Sequence, residues 1–158
     1  MSDYLKKNFF NFSIIIFVFF LDRISKYLIL EYFEKSIDQN IIISSFLNFN
    51  LLWNDGIAFG LLQFEQKLFY NFVTLLIFVI LIIVGRLASN SEGLEKICYL
   101  MILGGGFGNV FDRLYYGSVV DFIDLNYNNF HWFIFNVADM FITIGILILI
   151  IYEFVKKK

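Results

Sequence analysis

The 158-residue chain is too apolar for an ordinary soluble domain: 59% of its residues are hydrophobic, and its mean hydropathy is +0.75. A soluble protein of this size lacks the interior to bury so many apolar side chains. The net charge of −2 offers no basic surface for nucleic acid, and the single cysteine, Cys98, excludes an internal disulfide framework. The composition predicts an integral membrane protein forming one domain, residues 1–158.

Four apolar segments approach the length of ~20 residues that crosses a hydrocarbon core of ~30 Å. They span residues 9–30, 68–87, 94–114 and 133–154. The first follows Lys6 and Lys7 as in a signal peptide, but it lacks a small-residue cleavage site, so we interpret it as a retained helix. Lysine and arginine are concentrated at both termini and between the second and third segments. This bias predicts four transmembrane helices with both termini in the cytoplasm.

Helix one carries two charges in its predicted outer half. Asp22 lies about 20 Å along the helix from residue 9, at 1.5 Å per residue. Lys26 follows one turn later on the same face, which is the favourable order for an acid and a base. The pair either locks helix one into the bundle or contacts a substrate, and the sequence leaves both roles open.

The connection between helices one and two contains a predicted β segment, residues 41–62. In a strand, residues 46 to 53 would alternate between two faces, with the apolar residues Leu47, Phe49, Leu51 and Trp53 on one face. The stretch ends at the turn signal Asn54-Asp55-Gly56. An amphipathic sheet on the outer membrane surface fits this pattern, and so does an amphipathic loop packed on the helices. Gly56 would permit close approach of a ligand or another helix.

Polar residues close helix three and open helix four, and the predicted topology puts both sets near the outer face. Asn109, Asp112 and Arg113 end helix three, where they fit a structural polar network, and Asn136 and Asp139 begin helix four. The glycines of LGGGFGN, residues 103–109, favour close helix packing in lipid. Separate segments therefore deliver their polar groups to one level of the membrane.

Asp121 and Asp139 differ from the other acids because each is flanked by apolar residues without a base at helical pairing distance. Asp121 lies in the predicted loop between helices three and four, together with Asp124, which we interpret as a solvated loop acid. Two carboxyl groups brought together in apolar surroundings repel each other and share a proton. A protonated acid beside a carboxylate can activate water for peptide hydrolysis. No cluster of His and Cys indicates a metal site.

Two other functions also need membrane carboxylates or close helix packing. A proton-coupled transporter would carry polar groups through both leaflets, whereas the predicted inner halves of these helices contain few. A non-catalytic assembly subunit would explain the glycines and ion pairs, but it gives no reason for unpaired acids at positions 121 and 139.

Five sequence blocks together resemble the bacterial lipoprotein signal peptidases, the signal peptidase II family. In chain order they are DRISK, NDGIAFG, GGGFGNVFDR, GSVVDFID and FNVADMFITIG. Each block is weak by itself, but five in the same order along most of the chain make a specific match.

The resemblance implies an aspartic endopeptidase of the bacterial plasma membrane that works without a metal or cofactor. It implies cleavage of diacylglyceryl-modified prolipoproteins before the lipidated cysteine, near the extracytoplasmic face. The catalytic pair would be Asp121 and Asp139. Supporting positions would be Asp22, Lys26, Asn54, Gly56, Asn109, Asp112, Arg113 and Asn136. We further expect a monomer surrounded by membrane lipids.

Overall fold

The computed structural model describes residues 3–36, 40–55, 66–127 and 130–156, and combines four helices with a four-stranded antiparallel sheet. The helices are α1 (Asp3–Lys35), α2 (Gln66–Asn90), α3 (Gly93–Tyr115) and α4 (Val137–Lys156). The strands are β1 (Asn40–Ile42), β2 (Leu47–Asn54), β3 (Val119–Tyr127) and β4 (Phe130–Phe135). The sheet order is β1-β2-β3-β4.

The third helix is the centre of the bundle, because α3 packs against α1, α2 and α4. Its glycines permit this close approach. A Cβ at Gly104 would lie 2.9 Å from the Ile15 carbonyl oxygen, and a Cβ at Gly105 would lie 2.6 Å from the Ala138 carbonyl oxygen. The glycines of α3 therefore let two neighbouring backbones pack closely against it.

The first helix is longer than the predicted segment 9–30. At 33 residues and 1.5 Å per residue, α1 measures about 50 Å, more than a hydrocarbon core requires. Its last turns pack against the sheet, where Ile29 and Phe33 meet an apolar cluster around Phe122 and Phe49. This packing extends the helix beyond its most apolar part.

The sheet is larger than the sequence predicted. The described part of the predicted β segment, residues 41–55, contains β2 and all of β1 except Asn40, and residues 56–62 lie outside the described residues. Strands β3 and β4 come from the connection between the third and fourth helices. The prediction that a loop joins helices three and four was therefore wrong for β3 and for the first part of β4. Backbone pairing of β2 with β3 runs from Leu47–Leu125 to Asn54–Val119, with a register irregularity between Phe49 and Leu52.

The predicted start of the fourth helix at residue 133 was also wrong, because residues 133–135 belong to β4 and α4 begins at Val137. An apolar run of this kind is ambiguous between strand and helix from its composition alone. Pairing of Ile123 with Phe135 holds the residues in the sheet. By length and composition, two of the described helices could cross a membrane by themselves, Leu68–Asn90 and Val137–Lys156.

Candidate active site

The first turn of α4 holds Asp139 through a reciprocal capping arrangement. Asn136 precedes the helix, and its side-chain oxygen accepts a hydrogen bond from the Asp139 N–H at 3.0 Å. In return, Asp139 Oδ2 accepts a hydrogen bond from the Asn136 N–H at 3.2 Å. This is the geometry of a capping box, which satisfies two backbone donors at a helix start. The local fold therefore fixes the Asp139 carboxylate at the sheet end of α4.

Asp121 comes to the same place from the sheet. It lies on β3, its side chain is buried, and both of its oxygens accept hydrogen bonds from asparagines. Asn54 Nδ2 on β2 donates to Oδ2 at 2.8 Å, and Asn136 Nδ2 donates to Oδ1 at 2.6 Å. The end of β2 and the cap of α4 therefore orient this carboxyl group together.

Asn109 on α3 joins the two acids into one network. Its Nδ2 donates to Asp139 Oδ1 at 2.8 Å, while its side-chain oxygen accepts a hydrogen bond from Asn136 Nδ2 at 3.1 Å. A continuous path thus runs from Asp121 through Asn136 and Asn109 to Asp139. The sheet, α3 and α4 all contribute to it.

The environment of Asp121 raises its pKa to about 6 from an ordinary value of 3.8. Burial, which disfavours the charged form, is the largest cause, and the negative charge of Asp139 acts in the same direction. The hydrogen bonds from Asn54 and Asn136 and the charge of Lys26 oppose the shift. Asp121 can therefore exchange its proton near physiological pH.

A buried cluster of two acids and two bases lies behind the carboxyl pair. Lys26 Nζ lies 2.6 Å from Asp112 Oδ2 and 3.1 Å from Asp22 Oδ2. Arg23 contacts the same two acids at 2.5 Å each and also donates to the Gly108 carbonyl oxygen. The four formal charges cancel, as expected where charges are buried away from water.

This charge cluster also holds the backbone around the two acids. Asp22 Oδ1 accepts a hydrogen bond from the Ala138 N–H at 3.0 Å, next to Asp139, and Asp112 Oδ2 accepts one from the Val120 N–H at 3.2 Å, next to Asp121. Lys26 also donates to the Asn109 side-chain oxygen at 3.2 Å. The charged residues of α1 and α3 thus position both segments that carry the carboxyl pair.

One predicted supporting residue, Arg113, does not join this network in the described structure. The Arg113 guanidinium packs over the ring of Tyr70 on α2, 5.1 Å from the ring centroid, and no hydrogen bond links it to the carboxyl pair. Its Nε and Nη1 atoms are buried without a hydrogen-bond partner among the described residues. Gly56 lies outside the described residues.

Sequence reasoning missed Arg23, although it lies inside the DRISK block. The pairing of Asp22 with Lys26 accounted for one base, and the adjacent arginine was left without a role. A second cation in an apolar helix needs a partner of its own. From this requirement, the sequence could have predicted that Arg23 pairs with a distant acid, which in the structure is Asp112.

The interpretation of Asp124 as a solvated loop acid was wrong. Asp124 is completely buried on β3, where Asn50 Nδ2 on β2 donates to its Oδ2 at 2.6 Å. The same oxygen lies 2.7 Å from His131 Nδ1 on β4. This acid therefore joins three strands, a role that depends on strand pairing absent from the sequence prediction.

The geometry can support acid–base chemistry on a carbonyl compound. Two carboxyl groups that interact electrostatically and are held by fixed amide donors can carry one proton between them. In the described part of the chain, no group of three His, Cys, Asp or Glu side chains is placed to hold a metal ion.

Comparisons with known proteins identify the family of this chain. The profile of the family described as signal peptidase (SPase) II matches residues 14–155. The lipoprotein signal peptidase of Pelagibacter ubique is 44% identical over 98% of this chain and 94% of its own length. That of Francisella tularensis subsp. novicida is 37% identical over 93% of each chain.

Solved structures share the fold of this chain. Two structures of a bacterial membrane enzyme, each 31% identical in sequence, superpose with TM-scores of 0.76 and 0.73. The first covers 94% of both chains, and the second covers 92% of this chain and 87% of the solved one. The resemblance inferred from the five sequence blocks is therefore confirmed: the chain belongs to the signal peptidase II family.

Proposed function

We propose that this chain is a membrane aspartic endopeptidase that removes signal peptides from diacylglyceryl-modified prolipoproteins, cleaving before the lipidated cysteine. Membership of the signal peptidase II family supports the peptidase activity and the prolipoprotein substrate. The observation that carries the aspartic mechanism is the carboxyl pair, Asp121 and Asp139, linked through Asn109 and Asn136.

The two acids act on a water molecule and on the scissile carbonyl group. One carboxylate takes a proton from the water, which attacks the carbonyl carbon, while the protonated partner donates a hydrogen bond to the carbonyl oxygen. The tetrahedral intermediate collapses as the leaving amine receives a proton from the pair. The pair titrates as a unit, so the two roles belong to the pair and can exchange between its members.

The neighbouring residues position these groups. Asn54, Asn109 and Asn136 keep the carboxyl oxygens in place through amide donors. Asp22, Lys26 and Asp112, with Arg23, hold the backbone at Ala138 and Val120. Arg113 makes no hydrogen bond to the carboxyl pair in the described structure, and we assign it, together with Gly56, to contacts with the substrate peptide.

We also propose that all four helices cross the bacterial plasma membrane, as one membrane domain with both termini in the cytoplasm. The distribution of lysine and arginine supports this orientation. Within residues 9–30 of α1 the charged residues are Asp22, Arg23 and Lys26, and all three belong to the charge cluster, so they contact protein rather than lipid. The carboxyl pair then lies near the extracytoplasmic face, and the enzyme acts as a monomer.

Cleavage of a defined substrate tests this function. Purified enzyme in liposomes is given a prolipoprotein peptide whose cysteine carries a diacylglyceryl group, or the same peptide with an unmodified cysteine. We expect cleavage of the lipidated peptide alone, with mass spectrometry placing the cut before the cysteine. Equal cleavage of both peptides, or a cut elsewhere, would contradict the proposed specificity.

A further inference from the structure

Two adjoining cavities extend from Asp139 along β4, and we call them together the β4 groove. Each has a volume of about 300 Å³, and both are lined by the rings of Phe133 and Phe135. The inner cavity adds four residues of α4, and the outer one adds residues of the sheet and the β1–β2 connection. The α4 residues of the inner cavity are Asp139, Met140, Thr143 and Ile144. The added residues of the outer cavity are Phe46, Leu125, Asn126 and Trp132.

The walls of the groove are apolar and face outward. Phe133, Met140 and Ile144 are 72%, 42% and 43% exposed, so the inner cavity opens at the surface of α4. Because α4 is long and apolar enough to cross a membrane, this surface faces hydrocarbon in the proposed topology. A lipid chain could therefore enter sideways from the bilayer without passing through water.

Asn126 supplies an unused hydrogen-bond donor in the outer cavity. Its side-chain Nδ2 is buried and has no hydrogen-bond partner in the part of the chain that the structure describes. Its backbone N–H already donates to the Phe46 carbonyl oxygen at 3.0 Å, which fixes the residue beside the groove. A buried donor without a partner is unfavourable, so a ligand acceptor that reaches it is favoured.

Apolar walls cannot by themselves select a ligand that comes from the membrane. Moving an acyl chain from bilayer hydrocarbon to an apolar groove gains little, since both surroundings are equally apolar. Selection must therefore come from a polar contact beside the apolar walls. An ester carbonyl is an acceptor without a proton to donate, and it is attached directly to an acyl chain, so it matches both Asn126 and the groove.

We propose that the β4 groove binds one acyl chain of the substrate's diacylglyceryl group, with its ester carbonyl accepting a hydrogen bond from Asn126 Nδ2. This inference rests on the proposed function and assigns part of its lipid specificity to named residues. The groove begins at Asp139, so a lipid bound in it is held next to the carboxyl pair. Asn126 is thus a residue that recognises the substrate rather than one that takes part in the chemistry.

A pair of substrates that differ only in the lipid linkage tests the role of Asn126. One peptide carries a diacylglyceryl group on its cysteine, and the other carries a dialkylglyceryl ether that lacks both ester carbonyls. Asn126→Ala is compared with wild-type enzyme and with Asn40→Ala, a control on the exposed strand β1. Because Asn126 Nδ2 has no hydrogen-bond partner among the described residues, Asn126→Ala should not lower the thermal unfolding midpoint.

We expect wild-type and Asn40→Ala enzymes to show a KM for the ester substrate about threefold to tenfold lower than for the ether, as one neutral hydrogen bond allows. Asn126→Ala should show equal KM values for the two substrates, with kcat unchanged. An ester preference that survives in Asn126→Ala, or is absent from wild type, would overturn the inference while leaving the proposed function intact. Failure of wild type to cleave either substrate would overturn both.

Filling the inner cavity tests the apolar half of the site. Thr143→Phe places a ring next to Asp139, and Ile150→Phe adds the same ring at an exposed position of α4 that does not line the groove. Thr143→Phe should raise KM for long-chain diacylglyceryl substrates more than for short-chain ones, and Ile150→Phe should behave as wild type. Equal effects of Thr143→Phe on both chain lengths would place the acyl chain elsewhere.

Discussion

At the scale of single residues, Asn136 is central to the proposed catalytic site, because it caps α4 and also contacts both acids. Its side-chain oxygen binds the Asp139 N–H, and its amide donates to Asp121 and Asn109. The sequence pointed to Asn136 as a neighbour of Asp139 because of their spacing. Its bond to Asp121 depends on β3 and could not be read from the chain, since that strand had been predicted as loop.

The raised pKa of Asp121 gives a prediction about its titration. The negative charge of Asp139 is one cause of the value of about 6, so Asp139→Asn should move the midpoint to lower pH. The carboxyl carbon shift of Asp121, followed by ¹³C NMR, measures this change. Asp55→Asn, at an exposed position, serves as the control and should leave the midpoint in place.

The same pKa fixes the sign of a stability effect. Because the folded-state pKa exceeds the ordinary value of 3.8, the folded protein holds this proton more tightly than the unfolded chain. The contribution of Asp121 to stability is therefore greatest below about pH 4 and declines as the pH rises through about 6.

The outcome that contradicts the titration prediction is an Asp121 midpoint, measured by ¹³C NMR, that is the same in Asp139→Asn as in wild type. That result would mean that the two carboxyl groups do not interact.

At the scale of elements, the close contact between α3 and α4 depends on Gly105. A Cβ there would lie 2.6 Å from the Ala138 carbonyl oxygen, so Gly105→Ala must push the helices apart. We expect a loss of about 1–3 kcal/mol in the free energy of unfolding, together with lower activity, because Ala138 precedes Asp139. The thermal unfolding midpoint in detergent measures the change.

Gly85 on α2 provides the matched control, because a Cβ there meets no other atom within 4 Å. Gly85→Ala should leave stability unchanged or raise it by up to ~1 kcal/mol through helix propensity. If both alanine variants behaved alike, close packing at Gly105 would not explain the glycines of α3.

Helices and strands were not equally predictable from the sequence. The segments 68–87 and 94–114 lie within α2 and α3 and end close to their bounds, because long apolar runs and charged ends mark a helix clearly. Strand β4 was missed because its aromatic sequence, FHWFIF, runs straight into the apolar start of α4. Only its pairing with β3 separates the two elements, and such long-range pairing is not a local property.

At the scale of the whole molecule, the proposed topology of four membrane-spanning helices requires the sheet and the α2–α3 connection to lie on opposite sides of the membrane. Ser45 lies in the β1–β2 connection and Ser91 in the α2–α3 connection, so Ser45→Cys and Ser91→Cys report on the two sides. A membrane-impermeant maleimide added to spheroplasts should label the first and not the second. Buried Cys98 should leave the parent protein unlabelled.

Permeabilised cells provide the control, because both engineered cysteines should then react. Labelling of Ser91→Cys in intact spheroplasts would place the α2–α3 connection outside. That result would contradict the proposed orientation with both termini in the cytoplasm.

The most direct test of the central claim is cleavage of a diacylglyceryl-modified prolipoprotein by purified Asp121→Asn and Asp139→Asn. Each variant removes one carboxyl group with almost no change in size, and Asp55→Asn is the matched control. We predict that each of the first two lowers kcat by at least about 100-fold, keeps a cooperative thermal unfolding transition and still inserts into membranes, while Asp55→Asn cleaves as wild type. Wild-type turnover by either Asp121→Asn or Asp139→Asn would contradict the account.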